Sequence, residues 1–405
     1  MPRIAFISSL VFGGSTTFVC NLAGDLVRRN VPVIVVSPEK EYAFASDFEA
    51  AGVKVVLHDD RRMIFEDRLV AMLKILREFE PTVVVSCLGA SSYEVLRYLP
   101  SGVRRVAVIQ ADAPIFYAGA KLYAGCADAI VGVSTRIVER LEQMEEFRNV
   151  SKLCLLHGVA VPQHVRPRDG GQPLHILYLG RLVNDQKRVH LLPTVLAALK
   201  KEGVPFRWTI AGEGDQRTAL EQAMPSLSCQ EVRFIGAVPN AQVPALLEQQ
   251  DIFLLASDAE GLPISLLEAM AHGVVPVVSD LESGIRDVVD ATNGMLIPVA
   301  EVEGYARAII HLHKHRQELA VKSAAAHERV RTKFSVEAMT DRWLAAFAQE
   351  PPAIGAWPPK WKIKPLLVAR YPIYHSPTMR IFRRLAMKFL RREQGHAASL
   401  VVTQK

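Results

Sequence analysis

Cysteine is scarce in this chain of 405 residues: there are five, at positions 20, 87, 126, 154 and 229, an odd number with no Cys-X-X-Cys pair. Such a set builds neither a disulfide framework nor a zinc cluster, and a reducing cytosol is the expected compartment. No run of eighteen apolar residues occurs, so no spanning helix is expected. The apolar stretch Ile4-Ala5-Phe6-Ile7-Ser8 behind Met1-Pro2-Arg3 is too short for the core of a signal sequence. Asp-X-Asp is absent throughout, which removes the usual carboxylate pair for Mg²⁺ or Mn²⁺ beside a phosphorylated substrate, and no metal is expected. His311-X-His313-X-His315 is the one histidine cluster; His311 and His315 share a helical face and read as a solvated surface. Gly-X-Gly-X-X-Gly is also missing, which counts against a dinucleotide-dependent oxidoreductase.

Half the residues are hydrophobic, enough for two full cores in a chain of this length. The net charge of +6 is uneven: residues 360–405 hold eleven Lys/Arg against one acid, Glu393, while the remainder carries 37 Lys/Arg against 41 acids. A slightly acidic body with a basic tail argues against general nucleic-acid binding and for one localised anionic contact.

Short Val/Ile-rich runs alternate with helical patterns, the sign of parallel sheets covered by helices on both faces. The strands expected are Ile4 to Ser8, Pro32 to Val36, Val53 to Leu57, Thr82 to Ser86, Arg105 to Ile109 and Ala129 to Val133 in the first half. In the second half they are His175 to Leu179, Arg207 to Ala211, Val232 to Ile235, Ile252 to Leu255 and Val275 to Val278. A faint repeat, Leu26 through Pro32 echoed by Leu199 through Pro205, precedes the second strand of each half. The division expected is a first doubly wound α/β domain at 1–161, a Pro/Gly-rich linker at 162–173 and a second domain at 174–334. A helix capped by Ser335 follows at 335–350, then a tail at 351–405 begun by paired prolines. Open α/β sheets bind ligands beyond the carboxyl ends of their strands, so the cleft between the halves is the expected site.

Three segments carry chemistry. Glu260-Gly261-Leu262-Pro263-Ile264-Ser265-Leu266-Leu267-Glu268 sets two carboxylates around a Gly-X-Pro turn and an apolar helix. With Pro263 at the first helical position, the amides of Leu262, Ile264 and Ser265 are free at the positive end of a helix dipole, where an anion docks. Gly180-Arg181-Leu182-Val183-Asn184-Asp185-Gln186-Lys187 places Arg181 and Lys187 after a strand, the charges a departing diphosphate needs. Gly13 and Gly14 open the first helix, where backbone amides approach phosphate closely.

The run from Ser257 to Val278, with Gly180 to Lys187, resembles the retaining glycosyltransferases of family 4, which have the GT-B fold of two Rossmann-like domains facing a cleft. The resemblance covers roughly residues 2–348 and is specific in the second domain. It implies that Glu260 contacts the donor sugar and Glu268 the ribose, that Arg181 and Lys187 hold the phosphates, and that Gly13 and Gly14 face the donor from the acceptor domain. Gly180, Gly261, Leu262, Pro263 and Ile264 join the donor site by the same resemblance, as does Val238, in a loop that lies near the base in that family. Where many members have a histidine, this chain has Gln110-Ala111-Asp112, so Gln110 or Asp112 is the candidate replacement on the acceptor side. His157 stands where the family often has asparagine and is expected to serve a turn.

The activity implied is transfer from a UDP- or GDP-sugar to a hydroxyl of a cell-envelope glycolipid or polysaccharide, with retention and without a cofactor. A catalytically silent nucleotide-sugar-binding module is the alternative that Gln110 motivates, and an epimerase or phosphorylase of similar fold is a third. Residues 379–392 form a basic amphipathic pattern suited to an anionic membrane surface, or to docking on the acidic body. A cytoplasmic protein, peripheral on the inner face of the membrane, is the expectation.

Overall fold

The computed structural model describes residues 1–348 apart from 12, 39–43, 59–62, 88–89, 169–172 and 225–231, together with 354–359, 363, 365, 381 and 383. Its first sheet comprises β1 (Ile4–Ile7), β2 (Val33–Ser37), β3 (Lys54–Leu57), β4 (Val83–Ser86), β5 (Arg104–Ile109), β6 (Ala129–Gly132) and β7 (Ser151–Cys154). The spatial order is β3-β2-β1-β4-β5-β6-β7, with every pairing parallel. A second sheet comprises β8 (Leu174–Leu179), β9 (Phe206–Ala211), β10 (Val232–Gly236), β11 (Ile252–Leu255), β12 (Val275–Ser279) and β13 (Met295–Ile297), in the order β10-β9-β8-β11-β12-β13, again parallel.

Central strands such as β1, β4 and β11 are buried along their whole length, as strands covered by helices on both faces must be. The two strands the sequence pattern does not reveal, β7 and β13, are short edge strands: Ser151-Lys152-Leu153-Cys154 is exposed or half-buried throughout, and β13 has three residues. The partly polar β7, covered on fewer sides, needs no apolar run, and the apolar Met295-Leu296-Ile297 of β13 is too short to mark a strand in the sequence.

The sequence repeat has a structural cause. Asn30 and Gly203 occupy equivalent places after helices Gly14–Arg28 and Leu192–Lys201, with φ of 60° and 67°. Both let the chain leave the helix in the left-handed region, and the next amide closes back: Val31 N donates to Leu26 O at 2.9 Å and Val204 N to Leu199 O at 3.1 Å.

Each sheet reverses its winding once, at β1/β4 and at β8/β11. Those reversals are where a crevice opens at the carboxyl edge. The loops leaving β1 (Gly13, Gly14), β8 (Gly180 to Lys187) and β11 (Ser257 to Pro263) all start there.

Two chain crossings lie side by side between the domains. Val159 N donates to Phe334 O at 2.9 Å and Val336 N to Val159 O at 3.0 Å. Ser335 Oγ accepts from Ala338 N at 3.2 Å and so caps helix Val336–Ala346. That helix lies on the first domain, with Trp343 5.9 Å from Phe18 and 6.3 Å from Phe6 between ring centroids. The described part of the linker is fastened to the second domain: buried Arg168 donates to the carbonyls of Glu248 and His272, both at 3.0 Å. Burial pulls its guanidinium down to about 10, with Arg166 adding to the shift.

The domains also meet at helix Thr135–Glu142, whose N-terminal amide, Thr135 N, donates to Asp287 Oδ2 at 2.9 Å. Arg136 pairs with Glu282 at 2.9 Å beside it. The few described tail residues touch the first domain: Ile363 is buried, Gly355 N donates to Ser101 O at 2.8 Å, and Arg383 pairs with fully buried Glu66 at 2.7 Å. The remainder of the basic segment at 379–392 lies outside the described residues.

Candidate active site

Helix Ile264–Ala271 begins one residue later than the proline rule suggests. Pro263 is its cap, at φ −64° and ψ 121°, rather than its first residue. The extended ψ turns the Pro263 carbonyl onto Leu267 N, 3.3 Å away, and leaves the first-turn amides without intrahelical acceptors.

The turn ahead of it is held from behind. Gly284 N donates to Gly261 O at 2.6 Å, and a trans peptide then points the Leu262 N–H the opposite way. Gly261 has no room for a side chain, since a Cβ there would sit 2.3 Å from Gln110 O of the first domain. Gly14, at the start of helix Gly14–Arg28, faces the same turn from across the cleft; a Cβ on it would lie 3.1 Å from Ile264 Cγ1. Two helix N-termini, one from each domain, therefore converge, with Gly13 as the cap of the first at φ 149°. Their partial positive charges add where they meet.

Charged side chains surround that point. Lys187 Nζ donates to Glu260 Oε1 at 2.5 Å, the two side chains only 11% and 6% exposed, and Ser257 Oγ donates to the same oxygen at 2.6 Å. Glu260 is thus a buried carboxylate satisfied by one cation and one hydroxyl. Arg181 is exposed and donates to Gln186 Oε1, while Gln186 Nε2 donates to Ala259 O at 2.9 Å and Asp258 N to Gln186 O at 2.9 Å. Gln186 fastens the loop after β8 to the loop after β11, which sets Lys187 on Glu260. Neither Gln186 nor Ser257 stands out in the sequence, because a glutamine and a serine in polar loops carry no pattern. Gly180, between Leu179 and Arg181, backs onto the Tyr178 hydroxyl, which donates to Arg181 O at 2.7 Å.

Glu268, half-buried one turn into the helix, has its carboxyl pushed up to about 8 by desolvation. His157 is buried between the domains, its Nδ1 3.1 Å from Leu262 O and its ring 4.7 Å from Phe18. Desolvation, opposed by that bond, holds it down at about 4, so it is neutral at physiological pH.

The acceptor-side candidates separate. Gln110 is half-buried, its backbone against Gly261 and its side chain near the thiol of Cys87. Asp112 accepts from the Tyr117 hydroxyl at 2.8 Å and pairs with Arg140 at 3.2 Å, a charge-neutralised anchor rather than a free base. Val238 follows β10 and lines a cavity of about 270 Å³ with Thr209, Arg233 and Gln242, a group apart from the Glu260–Glu268 cluster. No cluster of three or more His, Cys, Asp or Glu side chains suited to a metal ion occurs among the described residues.

Comparison with known proteins agrees with this architecture. Residues 173–315 match the family model described as glycosyl transferases group 1. The chain is 34% identical over 186 residues to the putative colanic acid biosynthesis glycosyltransferase WcaL of Escherichia coli K12, covering 44% of this chain and 45% of that protein. It thus spans less than half the length of that relative. A longer match, 26% identical over 349 residues, covers 84% of this chain and 97% of the lipopolysaccharide core biosynthesis glycosyltransferase LpsE of Rhizobium meliloti. Among solved structures, TarM of S. aureus, crystallised with fondaparinux, α-GlcNAc-glycerol and UDP, superposes with a TM-score of 0.71 at 14% identity, over 86% of this chain and all of that one. The fold is GT-B, two Rossmann-like domains across a cleft.

Proposed function

We propose that the protein is a glycosyltransferase that moves a sugar from a nucleotide-diphosphate donor to an acceptor hydroxyl, with retention at the anomeric carbon. The observation that carries this reading is the convergence of two helix N-termini at Gly14 and Ile264, beside Lys187 and between Glu260 and Glu268. A diphosphate seated there gains amide hydrogen bonds and the charge of Lys187 and Arg181 as its negative charge grows. Glu260 takes sugar hydroxyls and Glu268 the ribose.

In the step itself the acceptor oxygen bonds to the anomeric carbon on the face that the phosphate leaves. The bond from that carbon to the phosphate oxygen breaks, and the acceptor proton passes to that oxygen. A protein base is not needed, which fits the commitment of Asp112 to Arg140 and Tyr117. Lys187, Arg181 and the amides supply the electrostatic stabilisation, so no divalent metal is required. Relatives named for colanic acid, amylovoran and lipopolysaccharide core synthesis support a cell-envelope glycolipid or polysaccharide as acceptor. TarM bound to UDP makes UDP-sugars the first donors to test. No described helix is long and apolar enough to cross a membrane, and the basic residues after Arg383 are proposed to bring the protein to an anionic lipid surface.

Incubation with a panel of UDP- and GDP-sugars and a lipid-linked acceptor, with the anomeric configuration of the product read by NMR, tests this. An α-linked product from an α-linked donor is expected, and an inverted product refutes the mechanism.

A further inference from the structure

Between the acceptor domain and the turn at 261–263 lies one side chain that the mechanism above does not use. His157 belongs to the crossing from the first domain. Asn21 Nδ2 holds the neighbouring Gly158 O at 3.1 Å, Gly158 N donates to Met339 Sδ at 3.1 Å, and a Cβ on Gly158 would meet Ser335 O at 2.4 Å. The ring is therefore fixed on the domain crossing, packed on Phe18 of the helix that Gly14 opens.

Its bond reaches 105 residues along the chain, to the carbonyl of Leu262 in the other domain. That carbonyl belongs to the Leu262–Pro263 peptide, which has no N–H, so the oxygen is the peptide's sole hydrogen-bonding group. Since a carbonyl can only accept, Nδ1 carries the proton and Nε2 is bare; Nε2 is buried without a partner. The tautomer thus serves this one bond.

We propose that His157 is a positioning residue: by donating to Leu262 O across the domain interface, it sets the orientation of the 261–265 turn only when the two domains are closed on each other. The pairs Gly284 N to Gly261 O and His157 Nδ1 to Leu262 O grip successive carbonyls of the turn from the two domains. The amides left facing the cleft are the ones assigned to the diphosphate, so the inference deepens the reading above and rests on it.

Two substitutions separate the bond from the packing. His157→Phe keeps a ring against Phe18 and removes the donor, whereas in His157→Asn the amide Nδ2 branches from Cγ as the ring's Nδ1 does and restores it. Stranding a buried carbonyl corresponds to a factor of about ten in binding. The Phe variant should bind a UDP-sugar about tenfold more weakly and raise KM for the donor more than it lowers kcat, with the Asn variant within about threefold of wild type. Hydrogen exchange of the Ile264 and Ser265 amides in the ligand-free protein should quicken in the Phe variant alone. Equal donor affinity and equal exchange in all three proteins would overturn the proposal, as would a fall in melting temperature shared by both variants with exchange and affinity unchanged. If wild type binds no nucleotide sugar yet the exchange pattern appears, the positioning role stands and the transferase reading fails.

Discussion

Removing Lys187 has two consequences that pull apart in a measurement. Its ammonium is the cation on Glu260 at 2.5 Å, with both side chains nearly buried. Lys187→Ala therefore leaves a buried carboxylate with only the Ser257 hydroxyl, and breaking one side of a buried pair costs about 3–5 kcal/mol of stability. Lys187→Ala/Glu260→Gln removes the stranded charge, and most of that loss should return. Catalysis follows a different rule. Losing one preorganised transition-state contact lowers turnover about 10²–10³-fold, so Lys187→Ala and Glu260→Gln should each fall in that range. On the proposal that the two act on one bound donor, the double variant should be far less impaired than the product of the singles. The assay is a double-mutant cycle on kcat, with chemical denaturation run in parallel at one pH. Full multiplicativity in kcat, together with a double variant no more stable than Lys187→Ala, would show that the pair is not one functional unit.

Four further outcomes follow from the same reading. In the proposed complex donor hydroxyls donate to the ionised form of Glu268, whereas in the free protein its carboxyl is pushed up to about 8. Donor affinity should therefore strengthen as pH rises from 6 to 8, by up to about tenfold per unit, and become pH-independent in Glu268→Gln; a flat wild-type profile by calorimetry would refute this. The same raised value makes the folded protein the tighter proton binder, so Glu268 costs stability increasingly as pH climbs from the ordinary carboxylate range to about 8. Glu268→Gln should melt higher than wild type at pH 8 and alike below about pH 5. Excess chelator should leave transfer unchanged, and a complete loss reversed by Mg²⁺ would defeat the metal-free account. Deleting 384–405, which spares buried Ile363 and the Arg383–Glu66 pair, should abolish flotation with anionic vesicles while donor binding persists; continued flotation would place the membrane contact elsewhere.

Much of this arrangement is legible before any coordinates. The apolar runs that become buried strands announce themselves by composition, and the echo of Leu26–Pro32 in Leu199–Pro205 encodes two left-handed helix exits at Asn30 and Gly203. Glu260 and Lys187 are each readable from local sequence, but their mutual contact spans 73 residues, and no spacing rule predicts it. The edge strand β7 escapes because Ser151-Lys152-Leu153-Cys154 is partly polar and sparsely buried, and β13 because its apolar run is only three residues long. Pro263 is displaced to the cap because its carbonyl, not its missing N–H, sets the helix start. Asp112 reads as a spare acid until Arg140 and Tyr117 are found on it, and Gln186, Ser257 and Gly284 act through bonds that only the fold brings together.

A crystal structure with UDP or a UDP-sugar tests the central claim most directly. The account predicts diphosphate oxygens within hydrogen-bonding distance of the Leu262 and Ile264 amides, Lys187 moved from Glu260 onto a phosphate, and the ribose against Glu268. Nucleotide bound instead in the cavity by Val238 and Arg233, with the Lys187–Glu260 pair intact, would contradict it.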